Sequence, residues 1–112
     1  MIMTAIDLNK ELFNKYINDT EKPVLVDFWA PWCVYCRRIG PGLNILAEQY
    51  KDLIHIAKVN IDDEPELAAK EQIEVIPTLV IYQNGQALNS IVAPESKAQI
   101  EAFMKETLQI EV

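Results

Sequence analysis

Pro23-Val24-Leu25-Val26-Asp27-Phe28-Trp29-Ala30-Pro31-Trp32-Cys33-Val34-Tyr35-Cys36-Arg37-Arg38 is the stretch on which the fold turns. Val24 to Trp29 is a β-branched and aromatic run whose apolar residues do not alternate, the pattern of a strand buried on both faces. Pro31 punctuates it. From Cys33 to about Tyr50, the residues Ile39, Leu43, Leu46, Ala47 and Tyr50 then recur at helical spacing. A central strand therefore feeds directly into a long helix, and the two cysteines stand at the join. Gly40-Pro41-Gly42 inside that helix predicts a marked kink, because each glycine costs roughly 1 kcal/mol relative to alanine.

The flanking segments repeat the alternation. Asp7 is a good N-cap type before Leu8, Leu12, Phe13, Tyr16 and Ile17, which predict a first amphipathic helix, and a short extra strand fits within Met1 to Ile6. Beyond Tyr50, Leu53 to Ile61 reads as a strand, and Asp63-Glu64-Pro65-Glu66 brings acid and proline to the first turn of another helix. Thr78 to Tyr82 is a strand opened by Pro77, and Asn84-Gly85 is a strong hairpin signal leading to a last strand through Leu88, Ile91 and Val92. Ser96 with Gln99 forms a capping-box pattern, and Ile100, Phe103, Met104 and Leu108 give a terminal helix its apolar stripe. With no repeats or linkers, this order predicts one α/β domain over residues 1–112: a central mixed β-sheet of four to five strands flanked by helices on both faces.

Composition narrows the function. Half of the 112 residues are hydrophobic, enough for one core, and the formal net charge of −7 repels phosphate backbones and anionic headgroups. Nucleic acid and membrane are not expected partners. No apolar run approaches the roughly 18 residues that would span a bilayer. Met1 to Ile6 lacks a basic leader and runs into Asp7, Lys10 and Glu11, so the expected location is cytoplasmic. A monomer is expected. Two cysteines are too few for a secreted disulfide scaffold, so their value is chemical.

Cys33 and Cys36 share the C-x-x-C spacing with half of many zinc sites, but zinc needs three or four ligands. There is no third cysteine, and the one histidine, His55, falls in a predicted strand, where it faces solvent or is satisfied by packing. A redox pair fits better. At a strand-to-helix junction Cys33 sits at the helix N-terminus, where unpaired N–H groups and the positive end of the dipole favour a thiolate nucleophile. Cys36, about one turn on, stays close and can resolve a mixed disulfide from within. Asp27 is the one charge in an apolar strand. Burial would raise its pKa and make it a proton acceptor for the Cys36 thiol, the other reading being a carboxylate merely satisfied by a hydrogen bond.

The stretch Val26-Asp27-Phe28-Trp29-Ala30-Pro31-Trp32-Cys33, with Cys36-Arg37, Pro41, Lys58, Asn60-Ile61-Asp62, Ile76-Pro77-Thr78, Asn84-Gly85 and Ser96-Lys97, resembles the thioredoxin family over nearly the whole chain. The resemblance implies the thioredoxin fold and reduction of protein disulfides at Cys33, with the Cys33–Cys36 disulfide as the redox group and no further cofactor. It also implies disulfide-containing target proteins and a thioredoxin reductase as partners. Pro77 would be a cis-proline facing the disulfide, and the Ile76 backbone would pair with an extended substrate. Trp32 would shield the site and offer apolar surface, and Lys58 would lie near Asp27 and assist its proton chemistry, a solvated strand lysine being the plainer reading.

Three features depart from the family. Gly-Pro typically lies between the cysteines, where this chain has Val34-Tyr35. Proline has no N–H, so Tyr35 restores a donor that can point at the Cys33 thiolate, and Arg37 and Arg38 add positive charge nearby. A pair more oxidising than in Gly-Pro members is expected. The Gly-Pro-Gly triplet is the second departure, since the family has the proline alone. Third, Ala93 replaces a glycine that lets a substrate backbone approach, and its methyl narrows or shifts that contact. Tyr35 also resembles its counterpart in glutaredoxin, but Ile76-Pro77-Thr78 follows the thioredoxin pattern and no Gly-Gly turn for glutathione is present. The alternatives are a more oxidising disulfide oxidase or isomerase, and a thioredoxin-fold module that binds a partner.

Overall fold

The computed structural model describes residues 1–110. Along the chain run β1 (Ile6–Asp7), α1 (Lys10–Ile17), β2 (Val24–Trp29), α2 (Val34–Gln49), β3 (His55–Asn60), α3 (Pro65–Lys70), β4 (Thr78–Gln83), β5 (Gln86–Val92) and α4 (Lys97–Leu108). The five strands form one sheet in the order β1-β3-β2-β4-β5. β3 is parallel to both β1 and β2, whereas β4 is antiparallel to β2 and to β5. This is the mixed sheet that the element order predicts.

β2 is central, and its non-alternating sequence matches burial on both faces. Leu25 joins Leu43, Leu46, Leu79, Ile81, Ile100 and Met104 in the core under α2 and α4. Val24, Val26 and Phe28 point the other way, into a second core with Phe13, Val59, Leu67 and Tyr82 under α1 and α3. Because successive strand residues face opposite sides, Asp27 shares the α2 face with Leu25. The strand that anchors both cores thus carries a carboxylate toward the helix that bears the cysteines.

Several boundaries differ from the sequence reading. The cap of α1 is Asn9, whose Oδ1 accepts the Leu12 N–H at 2.9 Å, and not Asp7, which ends β1. Leu8 therefore lies outside the helix yet is buried in the second core. The extra strand is Ile6–Asp7, overlapping the Met1 to Ile6 window only at its last residue; its partners are Ala57 and Lys58. β3 starts at His55, because the N–H groups of Leu53 and Ile54 both turn back to the Tyr50 carbonyl.

α2 runs unbroken through Gly40-Pro41-Gly42. Gly42 has a packing reason: a Cβ there would lie 3.1 Å from Cβ of Lys97, so the bare backbone lets α4 approach. Asn84 and Gly85 have φ of 55° and 79°, the left-handed pair of a type I′ turn between Gln83 and Gln86. At α4, Ser96 Oγ accepts the Gln99 N–H at 3.1 Å, while Gln99 Oε1 reaches back to the Glu95 N–H, one residue earlier than a capping box would place it.

Candidate active site

β2 ends at Trp29, and four residues later Cys33 occupies the N-cap of α2 with an extended backbone. Its Sγ accepts the Cys36 N–H at 3.1 Å. An N-cap side chain reaches the amide of N2 or N3, and Cys36 is N3. In this disulfide form the amide on sulfur is therefore that of Cys36. The two cysteines are joined by a disulfide with Cα atoms 5.2 Å apart. Cys36 is only 2% exposed and Cys33 is half-buried, so the N-terminal sulfur is the accessible one. The first turn of α2 carries no acid, and Arg37 and Arg38 are exposed just beyond it. Amide, dipole and local charge all favour negative charge on Cys33.

Asp27 is 2% exposed, and its Oδ1 has no hydrogen-bond partner among the described residues. Burial pushes its carboxyl up to about 7, with the Lys58 charge pulling more weakly in the opposite direction. Lys58 is its register neighbour on β3. The ammonium rests 4.7 Å from the centroid of the Trp29 ring and 3.8 Å from the exposed Asp7 carboxylate. No described residue donates a hydrogen bond to Oδ1, and burial favours the neutral, protonated form of the carboxyl.

The remaining candidates converge through the backbone. The Ile76–Pro77 bond is cis. Thr78 Oγ1 donates to the Val75 carbonyl, and the Ala93 N–H donates to the Pro77 carbonyl at 2.8 Å. The Tyr35 hydroxyl in turn donates to the Ala93 carbonyl at 3.1 Å. Pro77, Ala93 and Tyr35 are thus linked in one chain of contacts. Ile76 is half-buried, while Trp32 and Val34, on either side of Cys33, are 65% and 60% exposed. Trp32 Nε1 donates to Asp62 Oδ1 at 3.2 Å. Asp62 had no role in the sequence reading; its place in Asn60-Ile61-Asp62 was the available signal.

The site is an exposed edge and not a pocket. A cleft of about 470 Å³ opens beside it, lined by Asp7, Asn9, Leu12, Trp29, Lys58 and Asp63, with Cys33 outside. Among the described residues no group of three or more His, Cys, Asp or Glu could hold a metal ion. His55 is satisfied in packing: Nε2 lies 3.1 Å from Asp19 Oδ2 and the ring meets Tyr16 edge-on. Among the same residues no helix is long and apolar enough to cross a membrane.

A C-x-x-C disulfide at a helix N-terminus, on a mixed sheet with a buried carboxyl on the covered face, defines a thiol-disulfide oxidoreductase. The chain belongs to the thioredoxin family, whose model matches residues 4–106. It is 35% identical over 102 residues to a thioredoxin of Porphyra purpurea, covering 91% of this chain and 95% of that protein. Thioredoxin 1 of a Nostoc species is 36% identical over 104 residues, covering 93% of this chain and 97% of that one. A thioredoxin of Alicyclobacillus acidocaldarius reaches 39% over 107 residues, with 96% and 98% covered.

Proposed function

We propose that this chain, acting as one domain, reduces disulfides in target proteins through Cys33 as nucleophile and Cys36 as resolving thiol. The observation that carries the reading is the asymmetry of the pair, an accessible capping sulfur at Cys33 and a buried one at Cys36. The Cys33 thiolate attacks one sulfur of the target disulfide. A mixed disulfide forms, and the other target sulfur leaves as a thiolate that takes a proton. Asp27 then accepts the Cys36 proton, and the Cys36 sulfur attacks Cys33, releasing the second target thiol and leaving Cys33–Cys36 oxidised. Lys58 favours the ionised form of Asp27, the form able to accept that proton. Trp32 and Val34 offer apolar surface to the target, and Tyr35, Ile76, Pro77 and Ala93 line the path of its backbone.

Two electrons and two protons pass to the target, so a donor must restore the dithiol. We assign that role to a thioredoxin reductase, with the cysteine pair itself as the only redox group. We place the chain in the cytoplasm as a monomer within electron transport and cell redox homeostasis; a lone cysteine pair of this kind suits a compartment where dithiols are kept reduced.

Insulin reduction with dithiothreitol as electron donor tests the proposal. The chain should accelerate precipitation of the reduced insulin chains severalfold over dithiothreitol alone. No acceleration, with both thiols titratable in the reduced protein, would remove the assigned activity.

A further inference from the structure

Tyr35 stands between the two cysteines, yet its hydroxyl donates to the carbonyl of Ala93, 58 positions along the chain, at 3.1 Å. Its ring is half-buried and packs against the core cluster under α2 and α4, alongside Ile91 of β5. The Arg38 guanidinium lies 5.7 Å from its centroid. Ala93 itself has φ of 47°, the left-handed region that crowds Cβ of any L-residue against the backbone carbonyl. Its N–H is held by the Pro77 carbonyl. One unfavourable alanine conformation is therefore clamped on both sides, by the cis-proline loop and by the side chain between the cysteines.

We propose that Tyr35 is a specificity-determining positioning residue: its ring fills the gap between the start of α2 and the turn after β5. Its hydroxyl holds Ala93 left-handed, so that Ala93 and Pro77 present a fixed wall to a target segment bound at Cys33. The proposal rests on the reading of Cys33 as nucleophile toward protein disulfides. A small disulfide reaches the exposed face of Cys33 without lying along this wall, whereas a protein segment must lie against it. Without the hydroxyl, Ala93 relaxes toward negative φ and carries the Pro77 contact with it. The wall then loses its shape for backbone recognition, while access to sulfur changes less.

The test compares kcat/KM for insulin with kcat/KM for the small disulfide 5,5′-dithiobis(2-nitrobenzoate) in Tyr35→Phe, which keeps the ring and removes the hydroxyl. Loss of one hydrogen bond used for positioning should lower the insulin value about fivefold more than the small-disulfide value, chiefly through KM. Glycine adopts the left-handed conformation without penalty, so adding Ala93→Gly should restore roughly half or more of that differential loss. An unchanged ratio of the two kcat/KM values overturns the proposal, as does a double variant whose losses merely add. A wild-type chain that reduces neither substrate overturns the reading of the site itself, and this inference with it.

Discussion

The starts of α2 and α4 are built alike and used differently. At each, an N-cap side chain accepts the amide three residues on at 3.1 Å: Cys33 Sγ from Cys36, and Ser96 Oγ from Gln99. At Ser96 the acceptor is a hydroxyl, a strong cap that titrates nowhere near neutrality, and the next layer adds the bond from Glu95 to Gln99. At Cys33 the acceptor is a weaker sulfur, ionisable only once the disulfide is reduced, with two arginines beyond it and a buried carboxyl on the strand behind. One helix uses its capping position for stability; the other gives it to chemistry.

Exchange of function at the capping position has the largest expected effect. Cys33→Ser supplies a better cap, so the helix should persist and the melting temperature should match that of the reduced wild type, while insulin reduction falls to the uncatalysed rate. Retained activity in Cys33→Ser would place the nucleophile elsewhere.

Asp27→Asn comes next. The folded carboxyl is raised from 3.8 to about 7, so the folded state binds the proton more tightly than the unfolded chain does. Stability linked to this group is whole below pH 4 and is lost as pH rises toward 7, by roughly 4 kcal/mol at 1.36 kcal/mol per unit. Asparagine resembles the protonated acid. Denaturant titration should therefore find Asp27→Asn more stable than wild type by that order at pH 8 and about equal at pH 4, with slower resolution of mixed disulfides near neutrality. Equal stability at both pH values would mean that Asp27 is not buried as a neutral acid.

The smallest effect belongs to the structural cap. Ser96→Ala should cost about 1 kcal/mol in a denaturant titration and leave insulin reduction intact. A loss of activity there would tie α4 to the site, where Gly42 and Lys97 bring the two helices together.

Much of this arrangement is legible in the sequence because it depends on neighbours along the chain. The unalternating Val24 to Trp29, the helical spacing from Ile39 to Tyr50 and the Asn84-Gly85 turn each specify their element locally, and each lies where expected. Cys33 as a helix-terminal residue and Asp27 as a buried carboxylate follow from the same run. What escaped is set by partners distant in sequence. β1 is two residues long and exists only through its pairing with β3, and Asn9 and Asp7 are both good caps whose competition that pairing decides. The hydrogen bond from Tyr35 to Ala93 and the left-handed alanine it clamps leave no local trace, since alanine rarely takes that conformation. In the disulfide form the amide on Cys33 Sγ is that of Cys36, at N3, a choice between N2 and N3 that residue types alone do not make.

The central claim is that the accessible capping sulfur attacks and the buried one resolves. Cys36→Ser, mixed in reduced form with oxidised target protein and analysed on a non-reducing gel, tests it most directly. The account predicts a stable mixed disulfide through Cys33 that Cys33→Ser does not form. Accumulation through Cys36 in Cys33→Ser, with none through Cys33, would contradict it.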